Sequence, residues 1–533
     1  MLVESLAGLE PVWPKIVVTS AIVFAILLAR YFDYDQKVNV PVVGPATSLT
    51  KWFAAVRNVW SARESIHEGY AKHGNFAFQI PTMTRMEVFL CDRAMTREYY
   101  SLDEEHMSFQ AVVSEEFQFE YSLPGQHNIR KIPNSVIAKA LSWQKTRASN
   151  AADPFFWEFS NAFLHGFQEE IQAFRSRPRS FGLPFFSHAN DYVPEDSEWI
   201  SVPCFPLALR IIARFTTKSL FNEPLCRDGA FLDLCCEVGD SVPRVALILR
   251  CCPAFARPLV AKFLKGPRRV QKLQDVLLDE IKLRRGSRTD LLDFTINWVD
   301  EQRSAKWEDW HITDVMTNTV FAALHTSSQL VVHTIFELAT RSEYVAPLRE
   351  EVQQCFAAYG DGSKEAVDAM FKMDSFIKET QRFNALDASA LARLVLKPYT
   401  FSNGLHVPEG TYIFTPNSPL LEDTRYYNDP SVFDGFRFAR MRDDAKLKAS
   451  CPLTATGETS MHFGIGRHAC PGRFMVSDEV KLVMIHLLVN FDFAIENFSP
   501  RPKNVAFGKF MLPNMTAKVW IKKSSQAAAA ESG

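Results

Sequence analysis

The sequence predicts a mainly helical protein with a small β part, arranged as one domain behind an N-terminal transmembrane helix. Three observations predict it. From about residue 50 to 390 the apolar residues recur at helical spacing, as in "GAFLDLCCEV" from Gly229 and in the long run from Trp310 to Thr340. At 394–416 the text changes to short β-branched and aromatic runs, broken by Asn403-Gly404 and by Pro408-Glu409-Gly410, which read as hairpins. Near the start, "WPKIVVTSAIVFAILLARYF" is apolar enough to enter a bilayer.

Taken in order, residues 1–36 are the expected membrane anchor, with its helix at about 13–32. Ile16 to Ala29 carries no charge and makes about 21 Å of helix. A bilayer core is roughly 30 Å thick. The stretch becomes long enough if Lys15 and Arg30 snorkel and Trp13, Tyr31 and Phe32 lie at the interfaces. Glu4 and Glu10 precede it, against the basic start of a signal peptide. An ordinary core helix is the remaining alternative. Arg30, Lys37, Lys51, Arg57 and Arg63 follow the segment, and only Lys15 precedes it, which places the body in the cytosol. "VPVVGPATS" is a stiff connector. The body runs over 37–523 with no internal repeat, returns to helix at 474–490 and ends on a strand, "AKVWIKK". Residues 524–533, "SSQAAAAESG", form an expected disordered tail.

Composition narrows the function. A chain of 533 residues that is 47% hydrophobic and 23% charged has material for a large core. A net charge of -2 gives no basic stripe, so nucleic acid is not an expected partner. The ten cysteines form no CxxC pair, and the doublets Cys235-Cys236 and Cys251-Cys252 sit in apolar helical text. That usage reads as reduced, buried thiols in a cytosol-like compartment.

Cys470 stands apart. In "HFGIGRHACPGRFM" (462–475) it is framed by Phe463, Gly464, Gly466, Pro471 and Gly472, and a helix follows. The glycines let the backbone come close to a flat partner. A sulfur near a helix N-terminus, met by free N–H groups, is favoured as thiolate. Such a lone thiolate suits an axial haem iron ligand. A nucleophilic or an inert buried cysteine would need none of the surrounding residues.

Here the sequence resembles the cytochrome P450 haem-thiolate monooxygenases, along nearly the whole chain. The resemblance implies the P450 fold, haem b as cofactor and Cys470 as the metal ligand. It places Phe463, Gly464 and Gly472 around the haem, with His468 where the family usually carries a propionate-binding Arg and Arg467 beside it. It implies that Glu379 and Arg382 of "KETQRF" and Arg437 of "DPSVFDGFRF" form a buried structural charge network. Arg393, His127 and Lys131 are the further implied propionate contacts. A surface arginine is the plain alternative for Arg393, and Trp143 with Arg147 is a second match to the element expected at His127 and Lys131.

"FAALHTSSQ" matches the family's distal helix. Ala322 and Ala323 leave room over the haem, and Thr326 would hold the water that delivers protons. The family's acid is replaced by His325, which can relay a proton or else point away. The implied activity is oxidation of an apolar small molecule, a terpenoid or related fungal secondary metabolite, by an enzyme of the ent-kaurene-oxidase-like type. It would use O2 and electrons from NADPH-cytochrome P450 reductase, with cytochrome b5 as a second donor, at the endoplasmic reticulum membrane. The alternatives are a fatty-acid hydroxylase, a haem-thiolate isomerase or dehydratase without reductase, and a non-enzymatic haem protein. The implied pocket is lined by "FQAVVSEEFQFEYSLPG", the distal helix, "NALDASALA" and "FMLPN".

Overall fold

Helical segments and short strands alternate through the first half of the chain, and long helices dominate the middle. The computed structural model describes residues 38–44, 48–125, 135–150, 156, 169, 199–285, 290–301, 307–496 and 499–524. The expected anchor over 1–36, His127, Lys131 and the tail beyond Ser524 lie outside the described residues. Among the described residues no helix is long and apolar enough to cross a membrane. Ser524 itself is buried, its backbone N–H bonded to Asn490 O at 2.9 Å.

The strands are β1 (Ala77–Pro81), β2 (Met86–Leu90), β3 (Met107–Ser108), β4 (Ile200–Pro203), β5 (Ser389–Val395) and β6 (Tyr399–Thr400). They continue with β7 (His406–Val407), β8 (Tyr412–Pro416), β9 (Phe491–Ile495), β10 (Val505–Phe507), β11 (Phe510–Leu512) and β12 (Lys518–Lys523). The first four fall in text expected to be helical. Runs such as "AFQIP" and "MEVFL" are too short for periodicity to separate a buried strand from a helix turn.

The chain divides into two compact units whose segments interleave. One comprises Met1–Phe109, Asp387–Leu420 and Ala506–Phe510. Its sheet has the order β1-β2-β8-β5-β3, antiparallel except for the parallel pair β2-β8. Helices α1 (Ser48–His73) and α2 (Arg93–Ser101) belong to it, and the Tyr99 hydroxyl of α2 reaches the carbonyls of Leu391 and Ile413. The hairpin expected at Asn403-Gly404 is there: β6 pairs with β7, and Gly404 takes φ +89.

The other unit comprises Gln110–Leu386, Leu421–Val505 and Met511–Gly533. Its helices include α3 (Ser135–Ala148), α4 (Cys204–Phe221), α5 (Gly229–Arg250), α6 (Arg257–Phe263), α7 (Gly266–Arg284) and α8 (Leu291–Glu301). After them come α9 (Asp309–Thr340), α10 (Val345–Tyr359), α11 (Phe371–Phe383) and α12 (Arg473–Asn490). The sheet β4-β12-β9 closes the unit. Helix α9 runs through the core: its apolar residues from Ile312 to Leu338 pack with those of α4, α5, α7 and α12 in one cluster. An aliphatic helix this buried is stabilised by tertiary packing more than by intrinsic propensity. None of the ten cysteines is in a disulfide. Six are buried, as expected, but Cys251 is exposed because α5 ends there and its neighbour Cys252 is half-covered.

Candidate active site

Cys470 sits in the turn that leads into α12. Its N–H donates to Phe463 O at 2.6 Å, which closes a loop in which Gly464 and Gly466 take φ +70 and +64. A side chain at 464 would be strained by that φ, and its Cβ would come within 3.1 Å of His468 O. The Arg473 guanidinium donates to Cys470 O at 2.7 Å and fixes the turn into the helix. Burial pushes the thiol above its ordinary value. The N–H groups of Gly472 and Arg473 and the Arg473 charge pull it partly back. With no cation at the sulfur, burial disfavours the charged form more than the two N–H groups and the Arg473 guanidinium favour it. A metal cation at the sulfur reverses that balance. Phe463 and His468 are half-buried, and Arg467 is exposed.

Behind this loop, Glu379 of α11 receives Arg382 in a fork: Nε to Oε2 at 2.8 Å and Nη2 to Oε1 at 2.7 Å. Arg437 Nε lies 3.2 Å from both oxygens, and the Asp434 N–H donates to Oε1 at 3.0 Å. The two guanidinium groups spend their remaining N–H groups on the carbonyls of Leu421, Asn428, Asp429, Pro430 and Val432. All three side chains are buried. A bidentate pair with every donor met is the geometry in which a buried ion pair recovers its desolvation cost.

On α9 the stretch from His311 to Leu338 is buried or half-buried except at Ala322 and Thr326, which are exposed. These two stand one turn apart on one face, and Thr326 Oγ1 donates to Ala322 O at 2.8 Å. Phe321 lies edge-on to Phe117 at 5.1 Å and to Phe119 at 5.9 Å, so the segment expected to line the pocket meets the distal helix through aromatic rings. Asn384, the first residue of "NALDASALA", turns instead into a buried polar cluster, donating to Glu337 Oε1 at 2.7 Å and accepting from Arg501 and Asn504. His325 faces away from Thr326's side, against α5. Arg393 is buried in β5 of the sheet unit, where Nη1 donates to Ala392 O at 2.7 Å and the guanidinium lies 5.5 Å from the Phe109 ring.

A profile of the family described as Cytochrome P450 matches residues 243–521. The chain belongs to the cytochrome P450 family. It is 68% identical to the cytochrome P450 monooxygenase terQ of Tolypocladium album, over 99% of this chain and 97% of that one. It is 61% identical to the cytochrome P450 monooxygenase ltmQ of Epichloe festucae var. lolii, over 95% of each. With relatives this close over almost its full length, this P450 is a monooxygenase. A crystal structure of the cytochrome P450DA heme domain shares the fold, with a TM-score of 0.67 at 14% identity, covering 91% of this chain and 98% of that one.

The P450 family implies haem, and the residues present fit it. A glycine loop with no Cβ in the way carries the thiol, and a helix that is elsewhere covered leaves a small-residue face open. Sequence reasoning missed Asp240 and Glu479, which share that helix's surroundings. No spacing rule links Asp240 to His325, or Glu479 to the Ser327 hydroxyl that bonds it; only packing does.

Proposed function

We propose that this P450 oxidises an apolar small molecule, of terpenoid or related fungal secondary-metabolite class, with O2 and electrons from an NADPH-dependent reductase, cytochrome b5 being a second donor. The observation that carries the reading is the pairing, in one unit, of the glycine-framed Cys470 with a distal helix open only at Ala322 and Thr326 over the described stretch 311–338. Bound haem b supplies the redox chemistry. Cys470 Sγ would ligate its iron, Gly464 and Gly472 would allow the ring to approach, and His468 and Arg467 are the propionate candidates on that loop. Thr326 spends its proton on Ala322 O, which leaves its oxygen lone pairs toward the open face to hold a water there. Phe117, Phe119 and Phe321 wall the site with apolar surface, which favours a greasy ligand and keeps bulk water out.

The reading includes the endoplasmic reticulum membrane as its site, with the catalytic domain in the cytosol. Beside the expected anchor, α6 and the turn before it support that placement: Phe255, Leu259 and Phe263 are 87%, 62% and 80% exposed, with Lys262 and Lys265 at their edge. Apolar side chains fringed by lysine suit a lipid interface.

Cys470→Ala is the test. The variant is expected to lose haem, or to lose the thiolate absorption of the reduced CO complex; a thiolate band that persists overturns the ligand assignment. Product formed equally without NADPH and reductase would replace the reading with a haem-thiolate isomerase or dehydratase.

A further inference from the structure

Over the stretch 311–338, α9 is exposed only at Ala322 and Thr326, and the polar side chains beside that opening are mostly engaged. Thr326 donates to Ala322 O, and Thr319 donates to Val315 O at 2.8 Å. Asp314 accepts Nε2 of Gln274, from α7, at 2.9 Å, and the same amide donates to Pro124 O at 3.0 Å. Asn318 differs. It is half-buried, and among the described residues its amide makes no hydrogen bond. Successive helical residues turn by about 100°. Asn318 therefore lies about 40° from Ala322 and about 60° from Phe321, between the open face and the ring that meets Phe117 and Phe119. It stands about 6 Å along the axis from Ala322 and about 12 Å from Thr326, toward the start of the helix. His325, seven residues on, packs instead against α5 at Gly239.

We propose that Asn318 is a specificity-determining residue: its amide hydrogen-bonds a hydroxyl or carbonyl oxygen already present on the substrate, so the ligand taken is an oxygenated terpenoid rather than a hydrocarbon. A carboxamide carries two donor hydrogens and an acceptor oxygen, so it can meet either function. A ligand that fills the site displaces the water which otherwise satisfies this amide. A hydrocarbon then leaves the amide unmet, which is penalised, whereas an oxygen function replaces the lost water. A site built to hydrogen-bond one polar group rejects the analogue that lacks it. The neighbouring walls at Phe117, Phe119 and Phe321 are apolar, so one polar contact also fixes the direction of the ligand. Its oxygen-bearing end lies at Asn318, and the end to be oxidised extends along α9 toward Ala322 and Thr326, about 6–12 Å away.

The proposal rests on the reading of an apolar substrate for this monooxygenase, and its test separates the two. Haem-loaded enzyme is titrated optically with geranylgeraniol and other diterpene alcohols, each paired with the hydrocarbon in which hydrogen replaces the hydroxyl. Wild type should bind each alcohol about three- to tenfold more tightly than its hydrocarbon. In Asn318→Leu that preference should vanish, while affinity for the hydrocarbon is kept or improves and the reduced CO band matches the wild type. Asn318→Gln, which keeps the amide, should retain part of the preference. Equal binding of the pair by wild type, an unchanged preference in Asn318→Leu, or an equal loss for both ligands overturns the proposal and leaves the reading in place. Loss of the reduced CO band in Asn318→Leu also overturns it, since Asn318 then serves haem binding or folding. Wild type that binds neither member of any pair overturns the reading, and the proposal with it.

Discussion

Around Glu379, two carboxylate oxygens and two guanidinium groups meet one another and five backbone carbonyls, with all three side chains buried. Around His325, in the same unit, the polar atoms are less completely met. Nε2 of His325 and the hydroxyl of Thr317 are buried without a hydrogen-bond partner. Glu479 of α12, also fully buried, meets among the described residues only the hydroxyls of Thr216, at 3.4 Å, and Ser327. A satisfied network of charges is rigid, and removing one member strands the others. An incompletely satisfied one leaves buried groups whose protonation state burial itself sets.

The sharpest way to break that contrast is Arg382→Ala. It leaves Glu379 buried with Arg437 alone and should cost about 3–5 kcal/mol, a large part of the roughly 5–15 kcal/mol that holds a domain together. Chemical denaturation would read it. A midpoint close to the wild type would mean that the network is not the support its geometry describes.

Glu479→Gln should act with the opposite sign. Burial raises the Glu479 carboxyl from 4.5 to about 8, so the folded protein keeps it protonated where the unfolded chain has released the proton. Stability from this group is complete below pH 4.5 and is lost by about 1.4 kcal/mol per pH unit until the folded value is reached. The glutamine variant, which cannot ionise, should match the wild type at low pH and melt higher at pH 8. A difference in melting temperature that does not change with pH would show that the carboxyl is not held in its neutral form.

Thr326→Ala should have the smallest effect on stability, within about 0.5 kcal/mol, because the side chain is exposed. Its effect belongs to function: NADPH consumption should outrun product. Unchanged coupling would place the distal proton path elsewhere and remove the reason for the open face.

These two sides also differ in how much of them can be read from the sequence. The Cys470 loop is local: glycines, proline, thiol and helix start lie within a few residues, and backbone sterics alone restrict what they can form. Glu379 and Arg382 share a helix turn, so their pairing follows from spacing; Arg437 joined them only through resemblance. The short strands β1 and β2 were hidden because five apolar residues have no decisive period. Asp240 was hidden for a different reason. Its meaning depends on Gly239 letting α5 approach α9, and that approach is a property of two packed helices, not of either sequence.

The sequence by itself therefore determined the family, the mainly helical class, the glycine-framed position of Cys470 and the small residues Ala322 and Ala323 before Thr326. Each depends on neighbours along the chain, where geometry is fixed by covalent connection. Only the tertiary structure decided that His325 turns toward Asp240 and that Asn384 joins a buried polar cluster. Those outcomes turn on dielectric and contact between distant segments, which packing alone supplies.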